Sequence, residues 1–243
     1  MNIRIAHLYY DLMNLYGESG NVKALKLQLE KQGVKVTVKF LTIDDDLNFD
    51  NYDVVYIGSG TENNQKQVLN HLLKYKKDIE EAIEKGKHFI CTGNAIELFG
   101  NTIVDVKENE YKALGIFDYS AKQEEFRMVD EVLFKCDLIN NYILGFQNQS
   151  GVIKSDLLNL FDVEKGIGSY PNSKKEGIIH KNFIGTYVIG PILVRNPELL
   201  KYVVKNIISG KNKKFKFKKF NLNLETNAYD NFIKRNYEEV INK

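Results

Sequence analysis

The sequence predicts an α/β fold: a mostly parallel sheet flanked by helices, with added β-strands in the second half. Three observations predict it. Within the first hundred residues, strand-like apolar runs alternate with helical stretches, the pattern of parallel strands joined by right-handed crossovers. Asp53-Val54-Val55-Tyr56-Ile57 is apolar throughout after its first residue, as a strand covered on both faces must be. After Gly100 the pattern changes to short β-like runs separated by polar, glycine-bearing loops. The chain shows no repeat, low-complexity tract or linker, and residues 1–243 read as one domain.

In order, Ile3–Tyr9 reads as a strand and residues 11–20 as a polar loop. Asn21 is placed to cap a helix carrying Val22, Leu25, Leu27 and Leu29, which Gly33 stops. Val34–Phe40 alternates strictly and predicts a strand with one buried face. The strand at 53–57 leads into Gly58-Ser59-Gly60, followed by a helix from about Gln65 to Lys85. His88-Phe89-Ile90 then runs into Cys91, Thr92-Gly93-Asn94 turns the chain, and Ala95–Phe99 reads as a helix. In the second half Phe126–Phe134, Tyr142–Phe146, Gly177–His180 and Phe183–Val188 read as partly antiparallel additions to the sheet, with a long loop over 162–175. Asn196-Pro197 opens a final helix to about Ile208, with proline at its first position.

Composition narrows the function. An apolar share of 43% supplies an ample core, and a net charge of +2 predicts no general attraction to nucleic acid or membrane. Two cysteines, Cys91 and Cys136, cannot make a disulfide framework and suggest a reducing compartment. The N-terminal stretch lacks a secretory pattern and no apolar run approaches a membrane span. A cytoplasmic protein is expected. The four histidines have no metal-ligand spacing with the cysteines, so no metal is expected. Residues 211–220, KNKKFKFKKF, hold six lysines among three phenylalanines. A solvated edge with the aromatics tucked inward is the expected reading, against a nucleic-acid strip.

Parallel sheets bind ligands at the carboxyl ends of their strands. Cys91 and the 58–60 loop both follow strands, so both belong on that edge. A cysteine at a sharp strand-to-helix turn is exposed beside free backbone N–H groups, which favour the nucleophilic thiolate. The alternative for Cys91 is a small buried residue on a strand. Gly58-Ser59-Gly60 offers backbone N–H groups to an oxyanion, or is a plain tight turn.

Several stretches together resemble the class I glutamine amidotransferases of the cobyric-acid-synthase (CobB/CobQ) type, whose fold is flavodoxin-like, and more narrowly their GatD subfamily. The most specific is His7-Leu8-Tyr9-Tyr10-Asp11-Leu12-Met13-Asn14-Leu15-Tyr16-Gly17. Gly58-Ser59-Gly60 through Gln65 is similar to the oxyanion loop, and Cys91-Thr92-Gly93 falls on the nucleophile turn, usually Cys-Gly-Gly. Gly185-Thr186-Tyr187-Val188-Ile189-Gly190-Pro191 falls on a Gly-Thr-Tyr-Leu-His-Gly-Pro motif. The resemblance implies Cys91 as nucleophile, with Gly58, Ser59, Gly60 and Thr92 around the substrate and Arg127 holding the glutamine carboxylate. It implies ammonia delivery to a MurT-like ligase subunit that amidates the D-glutamate of lipid II in peptidoglycan synthesis. ATP and magnesium would belong to that ligase, with no cofactor on this chain.

The departures cluster where glutamine would be cleaved. Ile189 stands at the position of the catalytic histidine, and isoleucine cannot move a proton. Thr92, Asn94 and Ala95 replace the usual Gly, Tyr and Gln, and Gly145-Phe146-Gln147-Asn148-Gln149 lacks the usual Glu and His. A cysteine amidase needs a proton donor for the departing ammonia, worth roughly 10²–10⁴ in rate. His180, on a neighbouring strand, is the one candidate substitute. Two readings stand: a working glutaminase subunit, or a GatD-like paralogue acting as a non-catalytic partner of a Mur-ligase-like enzyme. Asp118, Glu124 and Glu125 read as solvated surface.

Overall fold

The computed structural model describes residues 1–241. Its first half alternates as the sequence predicts: β1 (Asn2–Leu8), α1 (Ser19–Lys31), β2 (Lys35–Leu41), β3 (Val54–Ile57), α2 (Glu62–Leu72), α3 (Lys76–Glu84) and β4 (His88–Thr92). These four strands are parallel, with β3 fully buried between β1 and β4. Register places Ile57 beside Cys91 and His7 beside Tyr56, so the carboxyl ends of the strands meet along one edge.

The second half is β5 (Thr102–Val104), β6 (Glu110–Lys112), β7 (Ala121–Cys136), β8 (Asn141–Ile153), β9 (Phe161–Lys165), β10 (Lys175–Glu176), β11 (Ile178–His180) and β12 (Phe183–Thr186), then helices α4 (Ile192–Arg195), α5 (Pro197–Lys211), α6 (Asn223–Asn236) and α7 (Glu238–Ile241). Among the described residues, only β12, parallel to β4, and β11, antiparallel to β12, extend the first sheet. The other six strands form a second sheet, which corrects the expectation of one enlarged sheet. Once β12 takes the free edge of β4, the long β7–β8 hairpin satisfies its backbone within itself and recruits β5 and β9 to β7. The two sheets share core: Val132, Phe134 and Ile143 of the hairpin pack in one apolar cluster with Ile3, Ile5, Val54 and helix residues Leu25 and Val204.

Smaller corrections have clear causes. Asn21 is not a cap. It lies buried inside α1, where its amide donates to Tyr56 Oη at 2.8 Å and its oxygen accepts from the Leu193 N–H at 2.8 Å. The long helix expected over 65–85 starts earlier, capped by Thr61, and is broken at Leu73–Tyr75 into α2 and α3. That break lets Leu72 and Ile79 face the same core. The loop expected over 162–175 is shorter, because β9 and β10 pair at its two ends. The helix after Pro197 is not the final one. Helix α6 follows, with Tyr229 and Ile233, one helical turn apart, packed on Leu133 and Leu144.

The 211–220 segment runs irregularly along the surface with its lysines exposed. Phe215, Phe217 and Phe220 are half-buried against the shared core. No helix among the described residues is long and apolar enough to cross a membrane.

Candidate functional site

The site is organised by the end of β4. Thr92 is still extended, and the next residue, Gly93, turns into the left-handed region at φ +62° before a 3-10 segment, Gly93–Phe99. A sharp strand-to-helix turn of this kind is where a nucleophile is usually presented. The residue at the turn is Gly93. Cys91 sits two positions back, within the strand, with no solvent exposure and its thiol in the core beside Phe89 and Ala95. Successive strand side chains alternate in direction, so residues 89 and 91 both face that core. Burial pushes the Cys91 thiol well above its ordinary pKa, the opposite of what a thiolate nucleophile requires. The expectation of an exposed Cys91 on the turn is therefore corrected.

A Cβ built on Gly93 would point directly between the two other parts of the predicted site. It would lie 2.5 Å from both Cβ and Oγ of Ser59 and 3.0 Å from Cγ2 of Ile189. The 58–60 loop and residue 189 thus converge on the turn, as the sequence motifs suggest, but they converge on a residue without a side chain. Ile189 is buried, and its N–H donates to the Phe146 carbonyl at 2.9 Å. That contact brings the 145–149 segment to the same place.

The glycine loop is not an open anion cradle. The Gly60 N–H, the expected oxyanion donor, donates to Asn94 Oδ1 at 3.0 Å. Asn94 Nδ2 donates back to the Gly60 carbonyl at 2.9 Å, and Ser59 Oγ donates to Asn94 Oδ1 at 3.3 Å. Gly58 is a close-approach glycine, since a Cβ there would meet the Met13 carbonyl at 2.6 Å. Thr92 does not face a ligand either. Its hydroxyl is buried, donating to Glu18 and sharing a 2.8 Å hydrogen bond with Tyr56 Oη.

Sequence reasoning missed the groups that hold this arrangement. Glu18, fully buried, accepts from Thr92, from Tyr56 Oη at 2.7 Å and from the Gly190 N–H at 3.0 Å. It therefore ties the turn to the strand beside it and to the residue after Ile189. Burial raises its pKa against the opposing pull of those hydrogen bonds. Glu97, on the 3-10 segment, accepts from Gln65 at 2.8 Å and Tyr187 Oη at 3.1 Å, and burial pushes it up to about 7. The one available sequence signal was Thr92-Gly93-Asn94 itself, because a turn there places Gly93 in the bend.

Arg127 lies on β7, at an irregularity in its pairing with β8. It is half exposed and paired with Glu62 at 2.6 Å, with a 3.4 Å contact to Asn148 Oδ1. Together with Glu124, Glu125 and Lys66 it lines a polar cavity of about 440 Å³. Its guanidinium is thus engaged by the first turn of the helix after the glycine loop. Asp118 is on the surface, accepting from Asn101 at 2.9 Å. His180 is not brought to the turn. It pairs with Glu84 at 3.2 Å, and its register across β12 meets Phe89, four residues before Gly93, about 13 Å along the strand.

A family model described as the CobB/CobQ-like glutamine amidotransferase domain matches residues 4–197. The chain belongs to the CobB/CobQ-like glutamine amidotransferase family. The GatD subunit of lipid II isoglutaminyl synthase (glutamine-hydrolyzing) from Staphylococcus aureus is 30% identical, over 96% of this chain and 96% of the relative. The counterpart from Streptococcus pneumoniae is 28% identical, over 98% of this chain and 89% of the relative. Among solved structures, PurLQS from Thermotoga maritima superposes with a TM-score of 0.55 at 16% identity, covering 87% of this chain and all of that one. A glutamine amidotransferase from the same organism gives 0.54 at 10% identity, covering 98% of this chain and 93% of the other. These neighbours share the fold. The bend lies at Gly93, two residues beyond Cys91.

Proposed function

We propose that this chain is a GatD-like partner subunit that keeps the amidotransferase fold and lacks glutaminase chemistry of its own. The observation that carries the reading is the turn: glycine stands where the nucleophile's side chain would be, facing Ile189 where a proton donor would be. The mechanism of a cysteine amidase needs a thiolate to form the tetrahedral adduct and an acid to release ammonia. Neither group is at this turn, and the buried Cys91 has no path to a carboxamide. The near-full-length kinship with GatD subunits supports a role beside a MurT-like, Mur-ligase-type enzyme in the cytoplasm. That ligase would bring ATP and magnesium, take free ammonia, and be positioned or stabilised by this subunit.

The test is glutamate release from glutamine by the purified chain, alone and with the ligase-like partner. The expected result is no release above the protein-free rate, with the two proteins co-eluting. Release that Cys91→Ala abolishes would overturn the reading and restore a working glutaminase. Introducing Gly93→Cys and Ile189→His together is expected to leave the chain inactive while Ser59 fills the space of the new side chain.

A further inference from the structure

Loss of catalysis and loss of substrate binding are separate events, and the structure bears on the second. We infer that the Asn94 carboxamide occupies, from within the chain, the position in which this fold holds a substrate's primary carboxamide, so that the resting protein is closed to glutamine. The inference rests on the reading of Gly93 as the vestigial turn. Asn94 immediately follows it, and in such turns the residue after the nucleophile and the glycine loop supply the two oxyanion N–H groups. Here the loop's Gly60 N–H is already spent on Asn94 Oδ1 at 3.0 Å.

Three features make this an occupant rather than a passing contact. The carboxamide is held at both ends, because Nδ2 also donates to the Gly60 carbonyl at 2.9 Å. Ser59 Oγ adds a third hydrogen bond to the same oxygen at 3.3 Å. The backbone of Asn94 is fixed from behind, its carbonyl accepting from Gln65 Nε2 at 2.7 Å. Asn94 is only partly buried, whereas Gly58, Ser59 and Gly60 are buried. A free glutamine amide would have to displace a tethered one that offers the same donor and acceptor pair, without the tether's entropic advantage.

The experiment is equilibrium binding of L-glutamine by calorimetry, with amide hydrogen exchange at Gly60 followed in parallel. Wild type, Asn94→Ala and Asn94→Asp are compared. Without a nucleophile at the turn, glutamine persists and binding is read directly. The expected result is no saturable binding by wild type at millimolar glutamine. Asn94→Ala is expected to bind at least about tenfold more tightly, the equivalent of one hydrogen bond regained. Exchange at Gly60 should accelerate in Asn94→Ala, which removes the acceptor. Asn94→Asp keeps an acceptor for that N–H but turns a second oxygen on the Gly60 carbonyl, so its readout is glutamine binding, and it covers the case in which alanine unfolds the turn. Wild type binding glutamine as well as Asn94→Ala would overturn the inference. So would unchanged Gly60 exchange in a folded Asn94→Ala, or no glutamine bound by either folded variant. Hydrolysis by wild type counts against the non-catalytic reading, whereas binding without hydrolysis counts against the present inference alone.

Discussion

Gly93 has a backbone that only glycine adopts without strain and a neighbour set that leaves no room for a Cβ. Both constraints act on Gly93→Ala: a left-handed φ and a methyl group driven into Ser59. The expected loss is roughly 1–3 kcal/mol, the range for overpacking, readable as a shifted denaturation midpoint with unchanged m-value. Pairing it with Ser59→Gly should recover part of that loss, leaving the φ strain. At Cys91 the prediction is kinetic. A thiol with no exposure and a raised pKa should be inert to alkylation in the folded protein and react only on unfolding. Rapid alkylation at neutral pH in native buffer would show the strand end to be open.

At the scale of elements, the 3-10 segment Gly93–Phe99 is anchored by Glu97, which reaches Gln65 of α2, Gln123 of β7 and Tyr187. Burial raises its pKa to about 7, and Glu62 adds to the rise. An unfolded glutamic acid ionises near 4.5, so between there and about 7 the native state binds the extra proton and stability falls as pH rises. Glu176 acts in the same direction, while the buried His7 and His88, lowered to about 4, act oppositely below about 6.5. The net profile therefore mixes signs, and the useful comparison is Glu97→Gln against wild type. The variant should gain stability relative to wild type from pH 4.5 to 7, by on the order of 3 kcal/mol at the upper end. A pH-independent difference would mean that Glu97 is not protonated in the native state.

Across the whole molecule, the 211–220 segment begins at the last residue of α5 and straps the first sheet. Lys211 reaches Asp53 at 2.8 Å, and the Lys218 N–H donates to Gln32 at 2.8 Å. The three phenylalanines pack on the core shared by both sheets. Phe217→Ala should cost on the order of 2 kcal/mol, less than for a fully buried ring, by thermal or denaturant unfolding. Lys216→Ala, altering an exposed side chain, should stay within about 0.5 kcal/mol. Equal losses from the two would indicate that the strap is held by charge instead of aromatic packing.

The sequence by itself determined the parallel sheet and the strand ends that carry the site, because hydrophobic period and turn residues act locally, while its motifs carried the family resemblance. Val54–Ile57 had to be a covered strand, and the 58–60 loop and residue 189 had to lie near the turn after β4 once the strands were ordered. Two features it did not determine. Whether β5–β10 join the first sheet or build a second one depends on which strand captures the edge of β4, a choice between distant segments. Whether Cys91 or Gly93 forms the bend depends on where β4 stops. That is decided by Glu18 gripping Thr92 and Gly190, and by Asn94 closing on Gly60. A strand one pair longer changes which residue meets the loop. Two residues of register thus separate a buried thiol from a nucleophile, and long-range hydrogen bonds set that register.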